Sequence, residues 1–402
     1  MQTATIASGR QVSGVVIAAL CLSCSPIEVT INPHAVPNTG SNRLALNFAP
    51  GQRSTFTTAL IDQHELLIDH QPEGSFIHVP KLEAGDYQVA LDNQKTTAKL
   101  SVYDAELLIE FIDVGQGDAI LLIAPTGLAY LIDTGPVDSS PVIQERLDAH
   151  GIQRIEKVIL THTDADHIGG LADLLKGSDG LFGSADDLSV GAIVEDGTLS
   201  DRTTRTARTL NALIDERLQR IIAMPGDRIE GLGGFVLHTI SAAGATRSRP
   251  ATPEAAAHAN ARSITTTVCL DDWCGWLGGD LTGGGLSTPN VEQFVLDELR
   301  PMVFVKVPHH GSRSSSSRAL VEALSPRLAV VSLGTNNDHC HPTPEVLARW
   351  SQTATVLSTG AGQTGNARCD ATAWPTTSYS NCGTITLRKG YGSYAQVHCA
   401  EQ

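Results

Sequence analysis

Basic residues are scarce in this chain of 402 residues. It contains 28 Lys and Arg against 43 Asp and Glu, which gives a formal net charge of -15. Proteins that bind a nucleic-acid backbone tightly and without specificity usually carry a basic surface, so the acidic balance disfavours that class. It does not exclude a nucleic-acid substrate that is handled at a metal site.

Long apolar runs are missing from the interior of the chain. No internal stretch approaches the roughly 20 consecutive apolar residues that a membrane-spanning helix needs. At the start, Arg10 precedes an apolar run over residues 12–22 that ends in small residues and cysteines, an order typical of a bacterial export signal. We therefore predict that residues 1–24 direct export to the periplasm, the outer membrane or the medium. The sequence leaves open whether Cys24 carries a lipid anchor, because a cysteine stands where lipoprotein signals usually have an aliphatic residue.

A CxxC pair is absent beyond residue 24, which disfavours a zinc knuckle. Six cysteines remain, and an even number in an exported chain suggests disulfides, whereas a cytoplasmic protein could tolerate six separate thiols. A hairpin with a two-residue turn would place the first two opposite each other, and a second hairpin near residue 391 would do the same for another two. The predicted pairs are Cys269–Cys274, Cys382–Cys399 and, as the remaining two, Cys340–Cys369.

Two regions with different patterning follow the signal. Residues 25–104 carry short β-like runs separated by Pro, Gly, Asn and Asp, which predicts a small all-β, immunoglobulin-like sandwich. They contain no convincing catalytic cluster. Over residues 105–402, strand-like runs come first and helices then alternate with strands, which predicts an α/β domain with mixed sheets.

The densest group of metal-binding side chains lies in the segment THTDADHIGG, residues 161–170. It follows an apolar strand-like run and holds His162, Asp164, Asp166 and His167 within six residues. Imidazole and carboxylate groups converging on one loop suit a divalent metal. The alternative interpretation is a polar turn with an accidental pair of histidines.

Four later clusters place polar side chains beside predicted strands. They are NARS from Asn260, GGD with Asp280, PHHGS with His309 and His310, and NNDHCHP with His341. In a layered α/β fold, loops at one end of a sheet share a single cleft. Each cluster is weak alone, since a Gly-Asp turn or a solvated pair of histidines is common. Their recurrence predicts that these side chains meet in one site.

A glycine-rich acidic loop over residues 177–190 has the composition of an insertion. Asp179, Asp186 and Asp187 could form a calcium loop, although their spacing does not match an EF-hand. A plain solvated acidic loop is the alternative.

Several segments in order carry a family resemblance: FIDVGQGDAILL, LIDTG, LTHTDADHIGGL, NARS, LGGDL, VPHHGS and NNDHCHP. On these motifs, residues 107–395 resemble the metallo-β-lactamase-fold hydrolases, in their ComEC-like branch. The resemblance implies an αββα sandwich with metals held between the edges of two sheets, and hydrolysis, often of phosphodiesters. Because the sequence contains no transmembrane channel domain, we do not expect a complete competence transporter.

The resemblance also carries over to single residues. The positions that match the family's metal ligands are His162, Asp164, Asp166, His167, Asp280 and one of His309 and His310. His341 matches the histidine of the closing His-Pro motif, and Asp133 matches an acidic residue that supports the metal loop. On this basis Asp166 would orient or deprotonate the attacking water, and His310, Ser312 and His341 would contact the scissile group or the leaving oxygen.

Three positions depart from the wider family. Asp164 stands where most relatives have histidine, and Cys340 where a glycine is usual. A separate ligand histidine is expected before Asp280, but only His238 and His258 lie in that interval, without the expected context. The site is therefore expected to hold its second metal differently or to hold one ion. Zinc is the expected metal, and two aspartates in the first motif make manganese a competitor.

The substrate is the least determined part of the prediction. A phosphodiester, including DNA, is what the resemblance implies. A small ester, amide or lactam is the alternative within enzymes, and a non-catalytic exported binding module is the alternative outside them. Cations near the cleft would favour nucleic acid, and Lys306, Arg313 and Arg318 are the candidates.

Overall fold

The structure is a computed structural model, and it describes most of the chain after residue 28. The described residues are 29–32, 35–37, 42–48, 56, 58–61, 64–71, 74–79, 82, 85–92, 94–103, 106–177, 179–184, 187–201, 204–231, 234–365, 368–390 and 395–400. The predicted export signal, Cys24 and Asp186 lie outside these residues.

Two compact units divide the described residues. One holds most of the chain before residue 101, and the other holds the rest together with segments within 35–42 and 79–85. The strands in the first part of the chain are β1 (Val29–Asn32), β2 (Ala35–Pro37), β3 (Asn42–Phe48), β4 (Thr58–Ile61), β5 (His64–Leu67), β6 (Asp69–Gln71), β7 (Gly74–Val79), β8 (Gly85–Leu91) and β9 (Gln94–Tyr103). They form a sheet of order β1-β3-β7-β6 and another of order β2-β9-β8-β4-β5.

The rest of the chain alternates strands and helices. Its strands are β10 (Glu106–Phe111), β11 (Ile120–Ile123), β12 (Ala129–Ile132), β13 (Arg154–Ile159), β14 (Ser189–Glu195), β15 (Gln219–Ile222), β16 (Arg228–Glu230), β17 (Phe235–Ala242), β18 (Ala245–Thr246), β19 (Thr265–Leu270), β20 (Trp273–Leu277), β21 (Phe304–Lys306), β22 (Leu328–Val331), β23 (Thr355–Ser358), β24 (Ser378–Tyr379), β25 (Ile385–Gly390) and β26 (Gln396–Cys399). Its helices are α1 (Ser140–Ala149), α2 (Ala165–Ile168), α3 (Leu171–Leu174), α4 (Arg205–Arg217), α5 (Pro253–Ala257), α6 (Glu292–Val295), α7 (Arg318–Leu324) and α8 (Pro344–Trp350). None of the described helices has the length and apolar character needed to cross a membrane.

Two mixed sheets form the centre of this unit. One has the order β15-β14-β13-β12-β11-β10-β25-β26, and the other runs β16-β17-β19-β20-β21-β22-β23-β24, with β18 beside β17. Side chains from both sheets, such as Ile109 and Phe304, share one buried core. Helices α1, α3 and α4 pack on the outer face of the first sheet, and α6, α7 and α8 on that of the second. The αββα arrangement that the family resemblance implied is therefore present.

The parallel strands place polar loops at one end of each sheet. In the first sheet β12 and β13 run parallel, and in the second β20, β21 and β22 do so. Apolar side chains fill most positions of β12, β20 and β22, as expected where both faces of a sheet are covered, whereas β13 also carries Arg154, Glu156 and Lys157. The polar residues of the predicted site come directly after β12, β13, β20 and β21, so each sheet presents them at its carboxyl edge.

The three predicted disulfides are all formed: Cys269–Cys274, Cys340–Cys369 and Cys382–Cys399. Cys269 and Cys274 are directly opposed across the β19–β20 hairpin, as the two-residue turn predicted. The predicted register of the last hairpin was wrong. Cys399 lies opposite Ile385, because β25 begins three residues after Cys382.

Candidate metal centre

The segment THTDADHIGG, residues 161–170, which contains α2, packs against the end of β12. The backbone N–H of Thr134 donates to His167 O over 2.7 Å, and Gly169 donates to Gly135 O over 2.8 Å. A Cβ at Gly169 would lie 2.5 Å from backbone atoms of the neighbouring turn, so only glycine permits this approach. The loop after β13 and α2 are therefore held closely to the loop after β12.

Asp133 fixes the orientation of His167. It is fully buried, and its carboxylate accepts hydrogen bonds from the backbone N–H and the hydroxyl of Thr161, each over 2.7 Å. The same carboxylate lies 2.7 Å from Nδ1 of His167. The proton of the imidazole therefore sits on Nδ1, and the lone pair of Nε2 points away from Asp133, as metal-binding histidines require.

The second sheet supplies Asp280 and His310. Asp280 follows β20, and its backbone N–H donates to the hydroxyl of Ser263 over 3.1 Å. His310 follows β21 in a tight turn with a positive φ of 51°, and its Nδ1 donates to Ser332 O over 2.8 Å. That bond again leaves Nε2 free to act as a ligand.

The two sheets present these atoms to one another across a short gap. Nε2 of His167 lies 3.4 Å, and Nε2 of His310 3.6 Å, from Oδ1 of Asp280. Nε2 of His162 lies 4.0 Å from Oδ2 of the same carboxylate. Asp166 adds an oxygen 3.4 Å from Nε2 of His310. The structure therefore brings five of the predicted metal-binding residues together.

The donor atoms in this cluster fit a divalent cation. Nε2 of His162, His167 and His310, and Oδ1 of Asp280, are buried and have no hydrogen-bond partner among the described residues. Unpartnered polar atoms are costly to bury, so their convergence indicates a ligand. Groups of three with donor atoms within 4.8 Å of one another include His162 with His167 and Asp280, and Asp166 with His167 and His310. Imidazole nitrogens and carboxylate oxygens suit zinc and manganese alike.

The charges in the cluster keep the carboxylates ionised. Burial alone would raise the pKa of Asp166, but the neighbouring His167 and His310 hold that pKa well below its usual range. The pKa of Asp280 is likewise lowered by the same two rings in spite of its burial. Burial opposes protonation of His167, yet Asp280 and Asp133 raise its pKa well above the usual value. The cluster therefore binds positive charge strongly, which a divalent ion can supply in place of protons.

Three predicted site residues lie at the rim of the cluster. The side chain of Asp164 is 45% exposed, with one oxygen 3.5 Å from Nε2 of His162. Nε2 of His309 lies 3.6 Å from Asp280 and 3.2 Å from the amide nitrogen of Asn260. The ring of His341 lies 5.6 Å from that of His309. Burial lowers the pKa of His309 to about 4 and that of His341 to about 3, so both rings are neutral at pH 7.

Sequence reasoning missed Asp118 and misjudged Lys306. The sequence suggested Lys306 as one of the cations near the cleft that could bind a nucleic acid. That prediction was wrong because the side chain of Lys306 is fully buried. Its ammonium pairs with Asp118, donates to Gly279 O over 3.0 Å and lies 3.7 Å from Asp280. The turn GQGD was visible in the sequence, but nothing there showed that its aspartate meets a lysine from the other sheet.

Other candidate residues remain apart from the centre. His238 and His258 join none of the metal-binding groups found among the described residues. In the acidic loop, Asp179 accepts a hydrogen bond from Leu181 N over 2.7 Å, and Asp187 accepts one from the Ser184 hydroxyl over 2.9 Å. These two carboxylates therefore stabilise turns within their own loop.

Comparisons with known proteins agree with this geometry. Residues 112–179 match the family described as the Metallo-beta-lactamase superfamily. The chain is 28% identical over 261 residues to ComE operon protein 3 of Bacillus subtilis (strain 168), covering 60% of this chain and 30% of that protein. It is 27% identical over 256 residues to Competence protein ComA of Neisseria gonorrhoeae, covering 62% and 30%. The chain thus spans about a third of the length of these relatives.

Solved structures of low identity show weaker likenesses. One is a diphosphatase from the PhnP family, with a TM-score of 0.35, 14% identity, and coverage of 70% of this chain and 98% of that one. Another is the HARLDQ-motif metallo-β-lactamase of Cronobacter sakazakii, with a TM-score of 0.33, 18% identity, and coverage of 49% and 76%. Scores this low carry no argument about activity. The similarity to the metallo-β-lactamase superfamily therefore rests on residues 112–179, and the two relatives support the ComEC-like branch.

Proposed function

We propose that residues 105–402 hydrolyse phosphodiester bonds, with DNA as the leading substrate, in an exported protein. One observation carries the proposal: three buried Nε2 atoms and a carboxylate oxygen converge, and none of them has a hydrogen-bond partner within the described part of the chain. The ComEC-like resemblance supports the substrate class, and one relative is named a competence protein. Three disulfides support an oxidising location, since such bonds persist outside the cytoplasm.

The donor set assigns ligands to the proposed metal. His162, His167, Asp166, His310 and Asp280 would hold it. When bound, a divalent ion polarises the phosphoryl oxygen and lowers the pKa of water to about 7. We favour zinc for an exported protein, with manganese as the competitor.

The chain's own residues would orient the reactants. The carboxylate of Asp166 is 32% exposed and stays ionised, so it can accept a hydrogen bond from the attacking water. His309 and His341 are neutral rings at the rim, and Nδ1 of His341 is buried without a partner among the described residues. A neutral imidazole can donate a hydrogen bond to the scissile group or the leaving oxygen.

We also propose that residues 25–104 form a separate immunoglobulin-like β-sandwich. Its described strands and their two sheets support this assignment. Lipidation at Cys24 is left out of the proposal because that residue lies outside the described part of the chain. Calcium is left out because the described aspartates of the acidic loop bond to their own turns.

The test is to measure metal content and cleavage together in purified protein. Wild-type protein and Asp166→Ala would be assayed for bound metal and for cleavage of single-stranded DNA, double-stranded DNA and a generic phosphodiester. Asp173→Ala, on the exposed face of α3, is the matched control. We expect metal and cleavage in the wild type and the control, and loss of cleavage in Asp166→Ala.

The other outcomes separate the alternatives. Bound metal without cleavage of any phosphodiester would move the substrate to a small ester, amide or lactam. A wild type that binds no zinc or manganese would overturn the catalytic proposal and leave a binding module.

A further inference from the structure

The Cys340–Cys369 disulfide joins two loops at the rim of the metal centre. Cys340 immediately precedes His341 in the loop between β22 and α8, and Cys369 lies 29 residues later, after β23. The backbone of His341 is held on its other side by the side chain of Asn337, which donates to its carbonyl over 2.7 Å and accepts from its N–H over 3.0 Å. The disulfide and Asn337 thus restrain the backbone on both sides of His341.

A groove of about 490 Å³ lies beside His341 and the Cys340–Cys369 disulfide. Its walls include Ser312 and Arg313 from the loop after His310 on one side, and Arg368 and the disulfide on another. Its lining also includes His341, whose ring lies 5.6 Å from that of His309. The groove therefore leads from the surface to the rim of the metal centre.

Two arginines on different loops line this groove, and each pairs with a carboxylate. The side chain of Arg313 is 54% exposed and pairs with Glu345 over 3.1 Å. That of Arg368 is 76% exposed and pairs with Asp338 over 3.7 Å. Exposed ion pairs of this kind contribute little, so each guanidinium can exchange its carboxylate for a phosphate, which it binds in a fork.

We propose that this groove binds the nucleotides next to the scissile phosphodiester, and that the Cys340–Cys369 disulfide holds its wall in place. The inference rests on the proposed function and deepens it by assigning the part of the site that recognises a chain of phosphates. Arg313 and Arg368 bind flanking phosphates, and the disulfide positions Arg368 and His341. Glu345 and Asp370 also line the groove, so its two arginines offset two carboxylates in a chain with a net charge of -15.

The first experiment compares a long substrate with a short one. A single-stranded oligonucleotide reaches into the groove, whereas bis(4-nitrophenyl) phosphate occupies the metal centre alone. For Arg313→Gln with Arg368→Gln, we expect KM for the oligonucleotide to rise about tenfold, the effect of losing roughly 1.4 kcal/mol of binding, while kcat/KM for the small diester stays within about twofold. Arg154→Gln is the matched control, since Arg154 is 51% exposed and pairs with Glu156 over 2.8 Å.

The second experiment tests the disulfide. Cys340→Ser with Cys369→Ser should reproduce the loss for the oligonucleotide with metal content unchanged, and Cys269→Ser with Cys274→Ser, which removes a bond in the β19–β20 hairpin, should not. If the first pair fails to fold in a thermal melt, the arginine variants decide. For the arginine variants, equal losses on both substrates, or none on either, would overturn the groove. The cysteine variant also loses the positioning of His341, so it would overturn the role of the disulfide only if it cleaved the oligonucleotide like the wild type. Metal-loaded wild type that cleaves neither substrate would instead refute the proposed function, and the groove with it.

Discussion

Asp133 and His167 are joined by a 2.7 Å hydrogen bond between a carboxylate oxygen and Nδ1. The relationship matters because both oxygens of Asp133 bond to the loop that carries the first metal-binding side chains. One oxygen contacts His167 and the hydroxyl of Thr161, and the other accepts the backbone N–H of Thr161. Partners of this kind fix the tautomer and the ring orientation of a metal-binding histidine.

Asp133→Ala should therefore weaken metal binding without removing a ligand. We expect the dissociation constant for zinc to rise about 10- to 100-fold, the usual effect of losing such a supporting carboxylate. A competitive chelator titration measures it. Asp138→Ala, an exposed position in the next turn, should leave affinity unchanged. An unaltered constant in Asp133→Ala would mean that His167 is not a ligand.

Glu110 links the first sheet to α1 far from the site. Its side chain is 1% exposed and accepts bonds from Arg146 over 2.7 Å and 2.9 Å, and it lies 3.0 Å from Nε2 of His150. Glu110→Gln removes the buried charge that pairs with Arg146, whose side chain is 27% exposed, so we expect the free energy of unfolding in urea to fall by about 2–3 kcal/mol. Metal content of the folded protein should not change.

Glu156→Gln is the comparison for Glu110. Glu156 also pairs with an arginine, but its side chain is 32% exposed and that of Arg154 is 51% exposed. Exposed pairs contribute at most about 1 kcal/mol, so the urea midpoint should move little. Equal destabilisation by the two substitutions would show that burial of Glu110 does not strengthen its ion pair.

The local motifs predicted the side chains that come from the first sheet better than the contacts that form between the two sheets. His162, Asp166 and His167 lie within six residues, so their proximity followed from one turn and a short helix. Asp118 and Lys306 are separated by 188 positions and meet only because the two sheets stack, which periodicity does not reveal. The choice between His309 and His310 also depended on the fold, since both share a positive φ and only His310 joins the metal-binding groups.

The elements of the fold, like the residues of the site, were predicted only where the local sequence pattern was clear. Apolar runs predicted the buried strands. The amphipathic pattern over residues 203–219 likewise predicts a helix, but the hydroxyl of Thr204 accepts the N–H of Ala207, so α4 begins at Arg205. Within residues 25–104 the sequence predicts strands but not their bounds, because strands as short as β4, β5 and β6 give too little alternation to recognise.

Glu292 should make stability depend on pH. Its carboxyl is fully buried and accepts the backbone N–H groups of Ser316 and Ser317, over 2.5 Å and 2.7 Å, in the loop that follows the His309–His310 turn. Burial raises its pKa from 4.5 to about 7, although these bonds and Arg349 oppose the rise. Between those two values the folded protein keeps a proton that the unfolded chain has lost, so the free energy of unfolding falls as pH rises.

The measurement is a pair of urea denaturation series from pH 4.5 to 8. Relative to Glu292→Gln, which cannot ionise, the wild type should lose about 3 kcal/mol across this window, on the scale of 1.36 kcal/mol for each pKa unit. A constant difference between the two proteins at every pH would show that Glu292 ionises at its ordinary value.

Gly117 and Gly115 provide a matched test of how the GQGD turn supports the metal centre. A Cβ at Gly117, where φ is +145°, would lie 2.3 Å from the backbone oxygen of Asp166. That oxygen also accepts the N–H of Asp118 over 3.1 Å, so the GQGD turn packs directly against α2. Gly115, where φ is +73°, has no atom within 4 Å of a Cβ.

Gly117→Ala must therefore push α2, and with it Asp166, away from the cluster. We expect a loss of stability of about 1–3 kcal/mol, typical of overpacking, together with weaker zinc binding in the folded protein. Gly115→Ala should cost about 1 kcal/mol through its backbone conformation alone and keep the zinc affinity of the wild type. Thermal unfolding and chelator competition on both variants separate the two effects. If both bind zinc like the wild type, the position of α2 tolerates displacement, and the close contact between Gly117 and Asp166 does not set the geometry of the metal ligands.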